Sequence, residues 1–290
     1  MKLALSTQDA LHLVRLPATF VVWSNILAAH LIATGGWPHW LVLIPQLAAG
    51  TALCWSGVVL KDCFALRQGA TGEPAGLLAS GRISGQAAWV LGGGLMVLGL
   101  AFAALAGGAS LRIAVALGLA IVAYHGFLKD TLLGPVIMGA IHYIQWMFGL
   151  AVMAMGSGAK ALAVPVFLYV AALTVLVGAE AKGAAPQTTR IAAVLLGLAA
   201  LVIVELVLAG RMEQPLILAL VVPAVLALGY WLWRLTADGS PAAVQTLVQR
   251  LTFGLIPLDA LLLAGSGHWL VAPFLLLLLV PGFVFRSSPE

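Results

Sequence analysis

Residues 161–183 read ALAVPVFLYVAALTVLVGAEAKG. No charged side chain falls within 161–179, and Glu180 and Lys182 follow at once. A helix rising about 1.5 Å per residue needs about 20 apolar residues to cross some 30 Å of hydrocarbon. This run has that length, and a polar stop closes it. Working outward, nine more segments have the same character: 17–35, 39–60, 85–107, 111–128, 133–156, 190–209, 214–234, 245–265 and 268–285. Short Gly-rich breaks separate several of them, such as Gly35-Gly36-Trp37-Pro38 and Gly156-Ser157-Gly158.

Composition agrees. Of 290 residues 8% are charged and 62% are hydrophobic, whereas an ordinary soluble domain carries roughly 25% charged residues. A soluble globule, a disordered chain and a basic nucleic-acid-binding domain are all excluded. Alternating strand patterns are absent, so the spans are helices and the class is an all-α integral membrane protein. No soluble domain fits between spans, so residues 1–290 form a single transmembrane domain. The two cysteines, Cys54 and Cys63, have neither disulfide nor metal spacing and read as packing residues.

Charge placement sets the expected topology. With the N-terminus in the cytoplasm, the outer face holds only Arg112, Lys160 and Arg211 of the 14 basic residues. The others fall inside, as the positive-inside rule requires. The expected location is a bacterial inner (plasma) membrane. Three inner loops carry most of the polar chemistry. The loop after the second span holds Lys61, Asp62, Arg67, Glu73 and Arg82; that after the fourth holds Tyr124, His125, Lys129 and Asp130; that after the sixth holds Glu180 and Lys182. Such a mixture can hold a diphosphate, with or without a bridging divalent ion. Solvated loop charges that set topology give the same pattern.

Within the spans lie Asn25, His142, Gln145, Glu205 and Asp259. Polar groups at membrane depth face the bundle or a cavity. His142 and Gln145 share a helix face, three residues apart. They present hydrogen-bonding groups to a substrate headgroup, or they fix helix packing. Glu205 reads as a span-end residue. Asp259 follows Pro257, where freed backbone groups need partners. Trp23, Trp37, Trp40, Trp55, Trp231, Trp233 and Trp269 read as interfacial anchors, and Gly92-Gly93-Gly94 as a close-packing site.

Taken in order along the chain, several short pieces resemble the UbiA superfamily of intramembrane prenyltransferases, most closely its EboC-type branch. They are Arg15-Leu16-Pro17 with Asn25, Ser80-Gly81-Arg82-Ile83-Ser84, Tyr124 with Lys129, Leu133-Gly134-Pro135, Met138-Gly139, and Glu180 with Gly183. The resemblance implies a bundle of nine core spans, with 268–285 as a tenth, around a cavity open to lipid. It implies transfer of a prenyl group from an isoprenyl diphosphate to a lipophilic or aromatic acceptor, with Mg²⁺ held by aspartate-rich motifs. On that basis Asp62 and Glu180 are the metal candidates. Lys61, Arg67, Arg82, Tyr124 and Lys129 are the diphosphate candidates, and Asn25, His142 and Gln145 the substrate candidates.

The chain also departs from the family. At the first motif, Asn-x-x-x-Asp-x-x-x-Asp, it has Lys61, Ala65 and Gly69. The Arg-Pro pair before Ser-Gly-Arg-Ile-Ser is Gly76-Leu77, and the Arg and Asn expected in the fifth span are His142 and Gln145. A catalytically inactive descendant that binds or moves a lipophilic metabolite is the alternative.

Overall fold

Serine and proline set where several helices start. Ser84 and Ser240 are N-caps whose hydroxyls accept from the N–H of Ala87 and Ala243, each at 3.2 Å, which satisfies one of the donors every helix start leaves open. Pro135, Pro165, Pro186 and Pro241 occupy first-turn positions, where a missing N–H costs nothing.

The computed structural model describes residues 16–67, 69, 84–153 and 157–280. In chain order the α-helices are α1 (Leu16–Ala33), α2 (Trp40–Arg67), α3 (Gly85–Leu105), α4 (Gly108–Ala123), α5 (Gly134–Leu150), α6 (Ser157–Ala161), α7 (Val164–Val177), α8 (Pro186–Leu208), α9 (Leu218–Asp238), α10 (Pro241–Leu263) and α11 (Ala272–Leu275). Wide π turns extend α4 over Tyr124–Leu128 and α10 over Ala264–His268. Among the described residues, seven helical stretches are long and apolar enough to cross a membrane. The helices α1 and α5, of 18 and 17 residues, are shorter. The protein is a membrane bundle of helices. Of the expected segment 268–285, residues 281–285 lie outside the described residues, as do Arg15, Glu73 and Arg82.

Several helix ends differ from the expected ones. The second span was expected to close at 60, yet α2 continues to Arg67. Falling hydropathy marks where lipid ends, but nothing between Leu60 and Gly69 breaks a helix. Lys61, Asp62 and Arg67 therefore ride on the last two turns of a helix, not in a loop. Likewise α8 begins at Pro186, and only Gly239 and Ser240 separate α9 from α10, where a longer loop was expected.

Two apolar cores share two helices. One is built from α1, α5, α7, α8, α9 and α10, with Trp146 and Leu206 fully buried. The other joins α1 to α5, with Phe148 and Leu53 at its centre. Both α1 and α5 contribute to each core, so they form the axis of the molecule. Glycine lets the helices approach. A Cβ at Gly149 of α5 would come within 2.6 Å of the Ile26 carbonyl oxygen of α1, and one at Gly92 of α3 would come within 2.9 Å of Leu60 of α2. The Gly92 carbonyl also accepts the Ser56 hydroxyl at 2.7 Å. Small residues at helix contacts are the usual basis of close packing in lipid.

Tryptophan follows expectation in part. Trp37, Trp40, Trp233 and Trp269 are exposed. Trp23 and Trp55 instead bond across the α1–α2 contact, donating to Thr51 at 2.8 Å and to Thr19 at 3.0 Å. A buried indole N–H needs an acceptor, and the two threonines supply it.

Candidate functional site

The polar residues gather in two places, one at a membrane face and one at membrane depth. At the face, the end of α2 meets the π turn that ends α4. The Phe64 ring packs beside Gly126, edge-on to Trp89 at 5.0 Å and tilted against Phe127 at 6.4 Å. On the turn of α2 before Phe64, the Lys61 ammonium lies 4.0 Å from the Asp62 carboxylate, and both side chains are largely buried. His125 lies in the electrostatic reach of both Lys61 and Lys129, and its ring borders Gly57. Tyr124 is buried and stacks edge-on with His125 at 4.9 Å. The Lys129 N–H closes the wide turn on the Tyr124 carbonyl at 2.8 Å. A π turn adds one residue to the helix circumference, a device common at functional sites. Here Tyr124 and Gly126 are buried while Lys129 is exposed.

Four of the expected face residues, Lys61, Asp62, Tyr124 and Lys129, thus share one neighbourhood. Arg67 is exposed at the end of α2. Glu180 is half-buried in the turn after α7, and this loop is tied to the α9–α10 turn by the Ala184 N–H donating to the Gly239 carbonyl at 3.0 Å. Among the described residues no three His, Cys, Asp or Glu side chains gather as a metal-binding group. Lys61 and Ala65 stand one turn apart on α2, whereas Gly69 lies beyond the helix in a left-handed conformation (φ +81°). The three motif positions therefore do not line one helix face, and the described residues do not fit a two-site magnesium clamp of near-octahedral oxygen ligands.

The second cluster lies between α1, α5 and α10. Asn25 is fully buried. Its amide lies 2.7 Å from His142 Nδ1 and 3.0 Å from the Gln145 amide. The orientation that satisfies its neighbours turns the nitrogen to donate to Asp259 Oδ2 at 2.8 Å, while the oxygen accepts from His142 Nδ1. Asp259 is fully buried and also accepts the Trp146 indole N–H at 3.0 Å. The three substrate candidates are brought together, and of these His142 alone keeps a partly exposed side chain. Asp259 is more than a residue answering to Pro257, because it is the acceptor that joins three helices. The sequence holds a signal for this: two polar residues on one face of a span demand a partner, and Asp259 was available. By contrast Glu205 is exposed three residues before the end of α8, as expected.

A further chain of bonds was not anticipated. Buried His30 donates from Nδ1 to Gln46 Oε1 at 2.8 Å, and its Nε2 accepts the His39 N–H at 3.1 Å. Gln46 Nε2 donates to the Phe148 carbonyl at 2.6 Å. This fastens α1, α2 and α5 at the end opposite Lys61. Between α1, α2 and α3 an apolar groove of about 420 Å³ opens sideways, lined by Trp23, Leu47, Thr51, Trp55 and Phe102 among others.

No family model matches the chain, and no curated protein matches its sequence. Solved structures do match its fold. One is a digeranylgeranylglyceryl phosphate synthase, with TM-score 0.69 and 17% identity over 88% of this chain and 96% of that one. A UbiA homologue from Archaeoglobus fulgidus bound to GPP and Mg²⁺ superposes with TM-score 0.64 and 13% identity over 88% of this chain and 99% of that one. The same homologue bound to DMAPP and Mg²⁺ gives TM-score 0.61 at 13% identity, over 88% and 98% of the two chains. At these identities the likeness is one of architecture, and its near-complete coverage of both chains leaves little of either outside the match. The chain has the UbiA fold.

Proposed function

We propose that the chain is an integral membrane prenyltransferase with a reduced metal site, moving a prenyl group from an isoprenyl diphosphate to a lipophilic or aromatic acceptor. The observation that carries this reading is the packing of the end of α2, which bears Lys61, against the turn that leads to Lys129, with Phe64 set beside Gly126 and Phe127, in a fold shared with proteins bound to GPP and DMAPP. The bond between the allylic carbon and the diphosphate oxygen breaks, and its electron pair leaves with pyrophosphate. A nucleophilic atom of the acceptor attacks the carbocation and gives up a proton. The charge that develops on the leaving oxygens must be met in the transition state. Lys61, Lys129, Arg67 and Arg82 are the cations assigned to it, with the Tyr124 hydroxyl as a donor. Lys61 stands where the family has a metal-facing side chain and puts a fixed positive charge there. His142, backed by Asn25 and Gln145, is assigned to the acceptor headgroup. The lateral groove beside Trp23 and Trp55 suits an apolar chain lying among lipid tails.

The test uses the purified protein in detergent with isoprenyl diphosphates of several chain lengths, with and without Mg²⁺, and measures pyrophosphate release in the presence of lipophilic acceptors. Turnover that falls at least tenfold in Lys61→Gln and Lys129→Gln is expected. No turnover with any donor would reject catalysis. A second reading then takes over, favoured by Ala65 and Gly69 in place of aspartates: a binder or carrier of a prenylated lipid, recognised by binding without diphosphate cleavage.

A further inference from the structure

On the face that carries the basic helix ends, α9 and α10 part to form a groove of about 670 Å³. Its walls include Trp231, Trp233, Arg234 and Asp238 from α9, and Thr246 and Arg250 from α10. The groove is remote in the fold from Lys61, because α9 packs against α8 and α10 and α2 is at the other core. The Arg250 guanidinium lies over the Trp231 ring, 5.1 Å from its centroid. A cation held against an aromatic face keeps its N–H groups at the ring edge free to bond outward. Neither arginine has a carboxylate within 4.0 Å among the described residues. Asp238 is turned to its own cap, accepting the Ser240 N–H at 3.4 Å. Two guanidinium groups against one carboxylate leave the groove with a net charge of +1.

Height decides what this cation pair meets. Arg234 lies one turn from the end of α9, and Arg250 nine residues from the start of α10, or about 6 and 13 Å along the axes. The stretch Pro241–His268 is 28 residues, about 42 Å, so it overhangs the hydrocarbon at its ends. Long arginine side chains at such depth reach outward to the headgroups. Tyr230 and Trp233, both exposed and with rings 6.2 Å apart, are the aromatic residues expected at that level.

We infer that the α9–α10 groove is a binding site for the headgroup of an anionic phospholipid, with Arg234 and Arg250 taking the phosphate and the exposed Trp233 flanking the glycerol. Basic pockets between membrane helices recognise such headgroups, and arginine bonds phosphate with two parallel N–H groups.

Native mass spectrometry of the intact protein released from mixed micelles of phosphatidylcholine and phosphatidylglycerol tests this. Phosphatidylglycerol should be retained over phosphatidylcholine, and Arg234→Gln or Arg250→Gln should each lower that preference about 5-fold, the effect of one basic residue near an anionic surface. The wild-type preference should also shrink as salt rises from 50 to about 500 mM, a measurement that needs no variant. Equal retention of the two lipids, a salt-independent preference, or folded variants that retain phosphatidylglycerol like wild type would overturn the inference. Displacement of the lipid by millimolar inorganic phosphate would do the same, because the site would then hold free anions and not a lipid.

Discussion

Asn25 is the residue on which the intramembrane cluster turns. Its amide touches His142, Gln145 and Asp259 at 2.7, 3.0 and 2.8 Å. Side-chain hydrogen bonds between membrane helices average about 0.6 kcal/mol, with a maximum near 1.7. Asn25→Ala removes the bonds to Asp259 and His142 and should cost about 1 kcal/mol, to which any cavity adds. The sharper quantity is the coupling between Asn25 and Asp259, because a double-mutant cycle cancels cavity terms. Asp259 is fully buried, so the coupling in Asn25→Ala, Asp259→Ala and the double variant should fall in the upper part of that range, at about 1 kcal/mol or more. Asn25→Asp sharpens the test. It keeps the volume of the side chain yet sets two carboxyls against each other at 2.8 Å, and it should destabilise more than alanine does. The assay is reversible unfolding in mixed detergent micelles with increasing sodium dodecyl sulfate, followed by tryptophan fluorescence and circular dichroism. A coupling within about 0.3 kcal/mol of zero would mean the cluster is decoration, and the account of α1, α5 and α10 as one fastened unit would fail.

Other outcomes follow from the same geometry. Gly149→Ala drives a methyl into the Ile26 carbonyl and should lower stability by about 1–3 kcal/mol, read in the same unfolding assay, whereas Gly93→Ala, with open space around it, should be neutral or gain up to about 1 kcal/mol of helix propensity. Trp146→Phe removes the indole donor to Asp259 and should cost about 0.6–1.7 kcal/mol. Thr51→Trp fills the lateral groove and should weaken binding of a long-chain isoprenyl diphosphate far more than that of inorganic pyrophosphate, measured by calorimetry in detergent. Lys61→Asn with Ala65→Asp returns two motif side chains to one face of α2 and should make any turnover more dependent on Mg²⁺. Adding Gly69→Asp should help little, because φ +81° there costs an L-residue about 1–2 kcal/mol.

The reading of the chain as a helical membrane protein needed only length and hydropathy, and the first nine expected segments each have an α-helix in the structure, whereas the described part of 268–285 holds only the short α11 and the turn after it. What hydropathy does not report is where a helix stops once it leaves lipid. Lys61 and Arg67 were read as loop residues because they are charged, yet the backbone had no reason to break before Gly69. The meeting of Asn25, His142 and Gln145 was partly legible, since a shared face and membrane depth are sequence properties. Asp259 was misjudged because its neighbour Pro257 offered a local explanation, and the 113 residues that separate it from Trp146 leave no periodic trace. The chain through His30, Gln46 and Phe148 was missed for a related reason. A backbone carbonyl as acceptor has no sequence signature at all.

The overhang of α2 has a physical consequence for whatever the protein binds. At 28 residues the helix is about 42 Å long, some 12 Å more than the hydrocarbon it crosses. Its cationic end therefore stands at the altitude of the surrounding phosphates. An amphiphile with an anionic head would slide in sideways, keeping its tail in oil and its head in the ionic layer throughout. Nothing need be lifted out of the leaflet, and the thickness of the membrane itself becomes a gauge that sorts guests by where their charge sits.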